Sequence, residues 1–188
     1  MKTNITREQW LEAGVKHLGA VFAEAGHLLP AVKVSCSWPG GGSAKKRIGE
    51  CWARRMSAAN VNEIFISPRI AEPVDALDIL AHELVHAVDD CVHGHKREFV
   101  AIGKAVGLTG KPTQMKAGAD LRAKLEQIAA KIGPYPHSTL DLSSRKKAKT
   151  YLLKCQCHEC DAVWRMTASW AQMLMQCPCC GSDEVEAA

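Results

Sequence analysis

No apolar run in this chain approaches the roughly 20 residues that a membrane-spanning helix needs. The opening stretch from Met1 to Trp10 is polar and does not resemble a signal peptide, so a cytosolic protein is the expectation. A phosphate loop is missing too. Pro39-Gly40-Gly41-Gly42-Ser43 is rich in glycine but lacks the G-x-x-x-x-G-K-[ST] order. A hairpin connection is the better reading for it, and such a loop could still carry a substrate's edge. Acidic residues are scarce in one third of the chain: residues 94–154 hold 4 against 13 basic ones. Residues 1–93 hold 11 acidic and 10 basic side chains, and 155–188 hold 5 and 1, so the net charge of +4 hides a segregation. A polyanion fits the basic region 96–154 as a partner, and a solvated lysine-rich face fits it equally on charge alone.

Cysteine, by contrast, is plentiful. There are nine, six of them between Cys155 and Cys180, and a reducing compartment favours metal thiolates over disulfides. Cys157-His158-Glu159-Cys160 and Cys177-Pro178-Cys179-Cys180-Gly181 form two C-x-x-C knuckles with 16 residues between Cys160 and Cys177. Four thiolates at that spacing predict a structural zinc ribbon over 151–188. A module this small has little core, so the ion's binding energy would be folding energy. Cys157, Cys160, Cys177 and Cys180 are the preferred ligands, with Cys155 and Cys179 as spares. Val163, Trp164, Met166, Trp170 and Leu174 are expected to form the hairpin and its packing surface. Trp164 reads as packing; Trp170 stays open to base stacking. A redox C-x-x-C pair is the weaker alternative, since no βαβ context accompanies it. Cys36 and Cys51 read as small buried hydrophobes.

Before the knuckles, periodicity assigns the elements. Thr6 precedes Leu11, Val15, Leu18 and Phe22 at spacings of three and four, which predicts a capped amphipathic helix over 7–26. Residues 32–36, 48–52 and 61–67 alternate as strands, the last stopped by Pro68. From Pro73, Leu77, Leu80, Leu84 and Val88 form an apolar stripe, while His82, His86 and Asp89 fall on another flank. Phe99, Val100, Ile102 and Val106 suggest a further helix, and Leu121, Leu125 and Ile128 another over 116–131. Gly133 to His137 breaks the pattern and leads into a basic linker through Arg145–Lys149.

His82-Glu83-Leu84-Val85-His86 is an H-E-x-x-H stretch. On a helix its histidines stand one turn apart on one face with the glutamate beside them, so two imidazoles can hold zinc and a carboxylate can stand next to a water. A catalytic zinc needs a third protein ligand, and Asp89, Asp90, Cys91, His93 and His95 are the candidates. Gly94 allows the chain reversal that would bring a later residue back. Tyr135, between prolines, is a candidate for steadying an oxyanion, and His137 reads as a loop histidine.

The extended segment Glu63–Pro68, the HELVH helix, Gly94-His95 followed by Phe99, and the terminal ribbon together resemble the SprT-like zinc metalloproteases, the family of the DNA–protein crosslink protease Spartan. The resemblance implies a zincin-like α+β core over residues 1–150, with a small sheet and the H-E-x-x-H helix. It implies His95 as third ligand; Lys96 stands where the family usually has glycine, which keeps His93 as the alternative. Two zinc ions are then expected, one catalytic at His82, His86 and His95 and one structural. The expected activity is zinc-dependent endopeptidase action on DNA-associated proteins in the cytoplasm or nucleoid. Glu83 would be the base that assists attack of a zinc-bound water on a peptide bond, with Asp89 or Asp90 orienting an imidazole. The alternative is a DNA-binding accessory protein with a weak or inactive protease centre.

Overall fold

The computed structural model of the chain describes residues 5–40, 47–140, 152–173 and 176–187. The chain divides into two compact units, Met1–Asp141 and Leu142–Ala188. The expected boundary at 150/151, the basic run Arg145–Lys149, the glycines of 41–42 and Leu174 lie outside the described residues. The fold is mixed α+β with small sheets.

In the first unit, α1 (Arg7–Glu24) starts at a reciprocal cap. The Gln9 N–H donates to Thr6 Oγ1 at 3.1 Å, and the Thr6 N–H donates to Gln9 Oε1 at 2.9 Å. The helix stops slightly before the expected residue 26, because Gly26 turns left-handed and His27 N–H reaches back to Phe22 O at 2.9 Å. Its buried face is Trp10, Leu11, Leu18 and Phe22.

Three strands follow: β1 (Val32–Cys36), β2 (Gly49–Trp52) and β3 (Asn62–Ile66), in the order β1-β3-β2. β1 runs parallel to β3, and β2 antiparallel to it. The glycine-rich stretch after β1 therefore does not join neighbours in a hairpin, contrary to expectation; the hairpin is β2–β3. β3 buries Asn62, Ile64 and Ile66 and takes the centre, whereas Gly-Glu-Cys-Trp of β2 is the more polar strand and takes an edge.

α2 (Pro73–Val88) packs on this sheet and on α1, with Leu77, Leu80 and Leu84 fully buried. α3 (Arg97–Val106) ends at left-handed Gly107. A short hairpin, β4 (Leu108–Thr109) and β5 (Lys116–Ala117), precedes α4 (Ala119–Ile132). The helix expected from residue 116 thus begins at Ala119. Ala117 N–H is held instead by Asp78 Oδ1 at 2.7 Å, and Gly118 is an extended N-cap. Arg122 and Glu126 pair along α4 at 3.5 Å.

In the second unit, β6 (Leu152–Cys157), β7 (Val163–Thr167) and β8 (Val185–Ala187) form an antiparallel sheet in the order β7-β6-β8. The expected hairpin is β6–β7. To it the structure adds a third strand and a short helix, α5 (Ala168–Met173), on which Trp170 is exposed. Trp164 is half-buried opposite Cys155.

Candidate metal centres

One helical turn separates His82 from His86 on α2, and α2's apolar stripe holds both rings over the cavity rather than the core. His95 returns to them through a reversal in which Asp90, Cys91 and Gly94 all take left-handed backbone angles, with φ of 47°, 57° and 56°. Two of these are not glycine, and such angles cost energy that surrounding bonds must offset. Asp90 supplies them: Oδ1 accepts from Arg54 N at 2.9 Å and from Asn62 Nδ2 at 3.0 Å, and Oδ2 pairs with Arg54 Nε at 3.4 Å. These bonds hold the Asp90 carboxyl below the usual carboxylate range, the Arg54 N–H contributing most.

The result is a convergence. His95 Nε2 lies 3.3 Å from His82 Nε2 and 3.2 Å from His86 Nε2. Three ligands at about 2.0–2.1 Å from a tetrahedral zinc would have nitrogens about 3.3 Å apart, so the three residues fit such an ion and could hold it. His93, the alternative, is elsewhere: its N–H and Nδ1 both bind Asp89, at 2.8 and 2.6 Å, and its ring is exposed. That contact raises the His93 pKa.

Tautomer and charge also suit a cation. His82 Nδ1 faces Met115 O at 3.3 Å, where only a donor is stable, so its Nε2 presents a lone pair to the cluster. Burial, reinforced by the neighbouring His95, pulls His82 down to about 4, and the Met115 carbonyl opposes this. Burial and the two other imidazoles pull His86 down to about 3. Burial lowers His95 as well. All three are therefore neutral near pH 7, the form that ligates metals.

Phe99, read from sequence as an apolar helix position and as part of the Gly94-His95…Phe99 resemblance, is fully buried against all three rings, with centroids 5.0, 4.2 and 4.9 Å from His82, His86 and His95. One turn into α3 from His95, it walls the cluster off from the core side. Asp89 and Asp90 are expected from sequence to orient a clustered imidazole, but Asp89 holds the His93 ring instead and Asp90 bonds to Arg54 and Asn62. The carbonyl of Met115 takes that role for His82, and Asp78 holds its β5 neighbour Ala117. Nothing in the local spacing announces either contact, because both span more than 30 residues.

Glu83 is 6% exposed, beside the histidines and against the edge strand. A Cβ on Gly49 would stand 2.6 Å from Ile79 Cγ2 and 3.0 Å from Glu83 Cδ, so only glycine allows β2 this close to the carboxylate. Burial, then Cys91 and Glu50, push the Glu83 carboxyl up to about 8, while Arg47 pulls the other way. A divalent cation among the imidazoles would also favour its ionised form. His82, Glu83, His86 and His95 line an open cavity of about 760 Å³ shared with Gly49, Cys51 and Cys91.

Tyr135 is not in this cavity. It is buried against Trp10, ring centroids 4.7 Å apart, near Cys36 and Arg7, so it steadies no oxyanion there. His137 is a strut, with Nε2 2.8 Å from Pro68 O and Nδ1 3.3 Å from Arg7 Nη1.

In the second unit, Cys157 Sγ lies 3.6 Å from Cys180 Sγ, and Cys160 Sγ 3.5 Å from Cys177 Sγ. Tetrahedral zinc thiolates at about 2.3 Å would place sulfurs about 3.8 Å apart, close to what is seen, and all four converge as a possible zinc-binding cluster. Left-handed Gly181 closes the second knuckle, its N–H on Cys177 O at 2.9 Å, and Cys179 N–H points at Cys177 Sγ from 3.4 Å. Burial opposes ionisation of Cys177, but the N–H groups of Cys180 and Cys179 and the adjacent thiols bring it down to about 6. The spares stay out of the cluster: Cys155 is buried in β6 and the Cys179 side chain is exposed.

In comparisons with family models, with curated proteins and with solved structures, nothing matches this chain.

Proposed function

We propose that the protein is a zinc-dependent endopeptidase whose first unit is a zincin-like catalytic module and whose second is a zinc ribbon. The observation that carries this reading is the meeting of three imidazole Nε2 atoms beside a buried glutamate on one helix. His82, His86 and His95 would hold the catalytic ion, and Cys157, Cys160, Cys177 and Cys180 the structural one. Bound there, zinc would supply Lewis acidity toward a carbonyl and acidify a water to near neutrality. The chain's own part falls to Glu83, whose Oε atoms take the proton of the attacking water and return it to the leaving amine. Phe99 and the Met115 carbonyl hold the imidazoles still, and the low proton affinity of the three rings keeps their lone pairs available.

The motif resemblance to SprT-like proteases and the excess of 13 basic over 4 acidic residues in 94–154 support substrates associated with DNA. The same charge excess favours a second reading, a DNA-binding accessory protein with an idle centre. Zinc content and casein hydrolysis of the wild type and Glu83→Gln, with and without single-stranded DNA, separate the two. The peptidase reading expects Glu83→Gln to keep its zinc and lose about 10²–10⁴-fold in activity. Equal rates in a zinc-replete Glu83→Gln would refute it. Activity indifferent to DNA would remove the DNA-linked substrate class.

A further inference from the structure

Two thiols also line the cavity. Cys51, expected from sequence as an inert buried apolar residue, is half-buried in β2 with its thiol 3.6 Å from that of Cys91, and Cys91 Sγ also lies 3.4 Å from Cys51 O. Cys91, a candidate third ligand, thus faces β2 and not the histidines. Forty residues apart in sequence, the two thiols meet through the left-handed Asp90–Cys91 turn. Asp90 bonds to Arg54 and Asn62 clamp that turn to the β2–β3 connection and to the first residue of β3, and Cys91 N–H is fixed on His86 O at 2.8 Å. A left-handed cysteine held in strain, aimed at a second cysteine on an edge strand, is over-determined for simple packing. A metal site is the poorer reading, since no third His, Cys or carboxylate donor gathers with the pair among the described residues.

We propose that Cys51 and Cys91 form a dithiol that oxidises to an intramolecular disulfide in the wall of the histidine cavity. With a peroxide as oxidant, one thiolate attacks the O–O bond to give a sulfenic acid and water. The second thiolate then displaces hydroxide from that sulfur, forming S–S. Overall the two thiols lose two protons and two electrons, and the peroxide leaves as two waters. A small-molecule disulfide does the same by exchange, releasing two thiols. Closure must shorten the gap from 3.6 Å to about 2.05 Å, and β2, a four-residue edge strand, is the element free to yield. Because Gly49 of β2 lies against Glu83, the movement displaces the carboxylate as well. The consequence for hydrolysis rests on the peptidase reading; the disulfide itself does not.

The test uses the full, zinc-loaded chain treated with hydrogen peroxide or oxidised glutathione, then alkylated and mapped without reduction. The expected product is one peptide pair linked through Cys51 and Cys91, lighter by two hydrogens and released by dithiothreitol. Separate adducts on the two thiols, unreacted Cys51 and Cys91, or scrambled links to the ribbon cysteines would each overturn the proposal. Where the protein hydrolyses casein, oxidation should lower the rate at least tenfold, reversibly, and Cys51→Ser should resist that loss. A wild type that links yet keeps its rate overturns the gating role alone. If neither form hydrolyses casein but the link forms, the dithiol stands and the peptidase reading falls.

Discussion

Substituting Gly49 by alanine tests the geometry at its tightest point. The added methyl would stand 2.6 Å from Ile79 Cγ2 and 3.0 Å from Glu83 Cδ, well inside van der Waals contact, and its nearest neighbour is a carboxylate oxygen of Glu83. Something must move: β2 away from α2, Ile79 into the core, or the carboxylate out of its place. Over-packing of this kind costs about 1–3 kcal/mol. With a urea slope of about 2 kcal/mol/M for a unit of this size, that is a midpoint lowered by about 0.5–1.5 M. On the proposed peptidase reading, the loss of rate should be larger. Displacing a catalytic group by about 1 Å is worth about 10²-fold in rate, and the end of the Glu83 side chain yields more easily than strand or core. Zinc should stay, because the three atoms nearest the new methyl belong to Ile79 and Glu83 and not to a histidine. Urea unfolding, zinc content and casein hydrolysis on one preparation read all three. A Gly49→Ala chain with wild-type midpoint and wild-type rate would refute the packing of β2 on Glu83.

Phe99→Ala should cost about 3–5 kcal/mol as a buried aromatic deletion and reduce bound zinc from two ions to one, read by metal analysis at matched fold content; two retained ions would mean that the ring does not support the cluster. Single substitutions assign the ligands by zinc stoichiometry: His95→Ala and Cys180→Ser should each lose one ion, while His93→Ala and Cys179→Ser keep both. Asp90 gives a pH test. Its folded pKa is lowered, so its contribution is present above the unfolded value of about 3.9 and disappears as pH falls through the folded value. The stability gap between wild type and Asp90→Asn, about 1 kcal/mol for a solvent-screened carboxylate, should therefore hold from pH 7 to 5 and close only below about pH 4. A gap that closes above pH 5 would contradict the assignment.

What was legible in the sequence is what chemistry places within one turn. The Thr6 cap, the His82/Glu83/His86 face and the two knuckles each act over four residues or fewer, so pattern and structure agree there. Strand order was not legible, because β1 chooses β3 over β2 by burial, a property of the whole sheet. Lys116 looked helical because Asp78, 39 residues before Ala117, leaves no trace in local periodicity. The third member of the histidine cluster is the instructive case. Residue type narrowed it to five candidates, and Gly94 marked a reversal, but His95 and His93 straddle that glycine symmetrically. Asp89 breaks the symmetry by capturing His93, and left-handed Asp90 and Cys91 aim the chain at α2. Asp90 can hold that conformation only because Arg54 and Asn62, more than 25 residues earlier, meet its carboxylate. The meeting of His95 with His82 and His86 was therefore fixed by bonds that side chains outside the motif supply. The same clamp carries Cys91 to Cys51, so the long-range contacts of Asp90 with Arg54 and Asn62 set both the histidine cluster and the thiol pair.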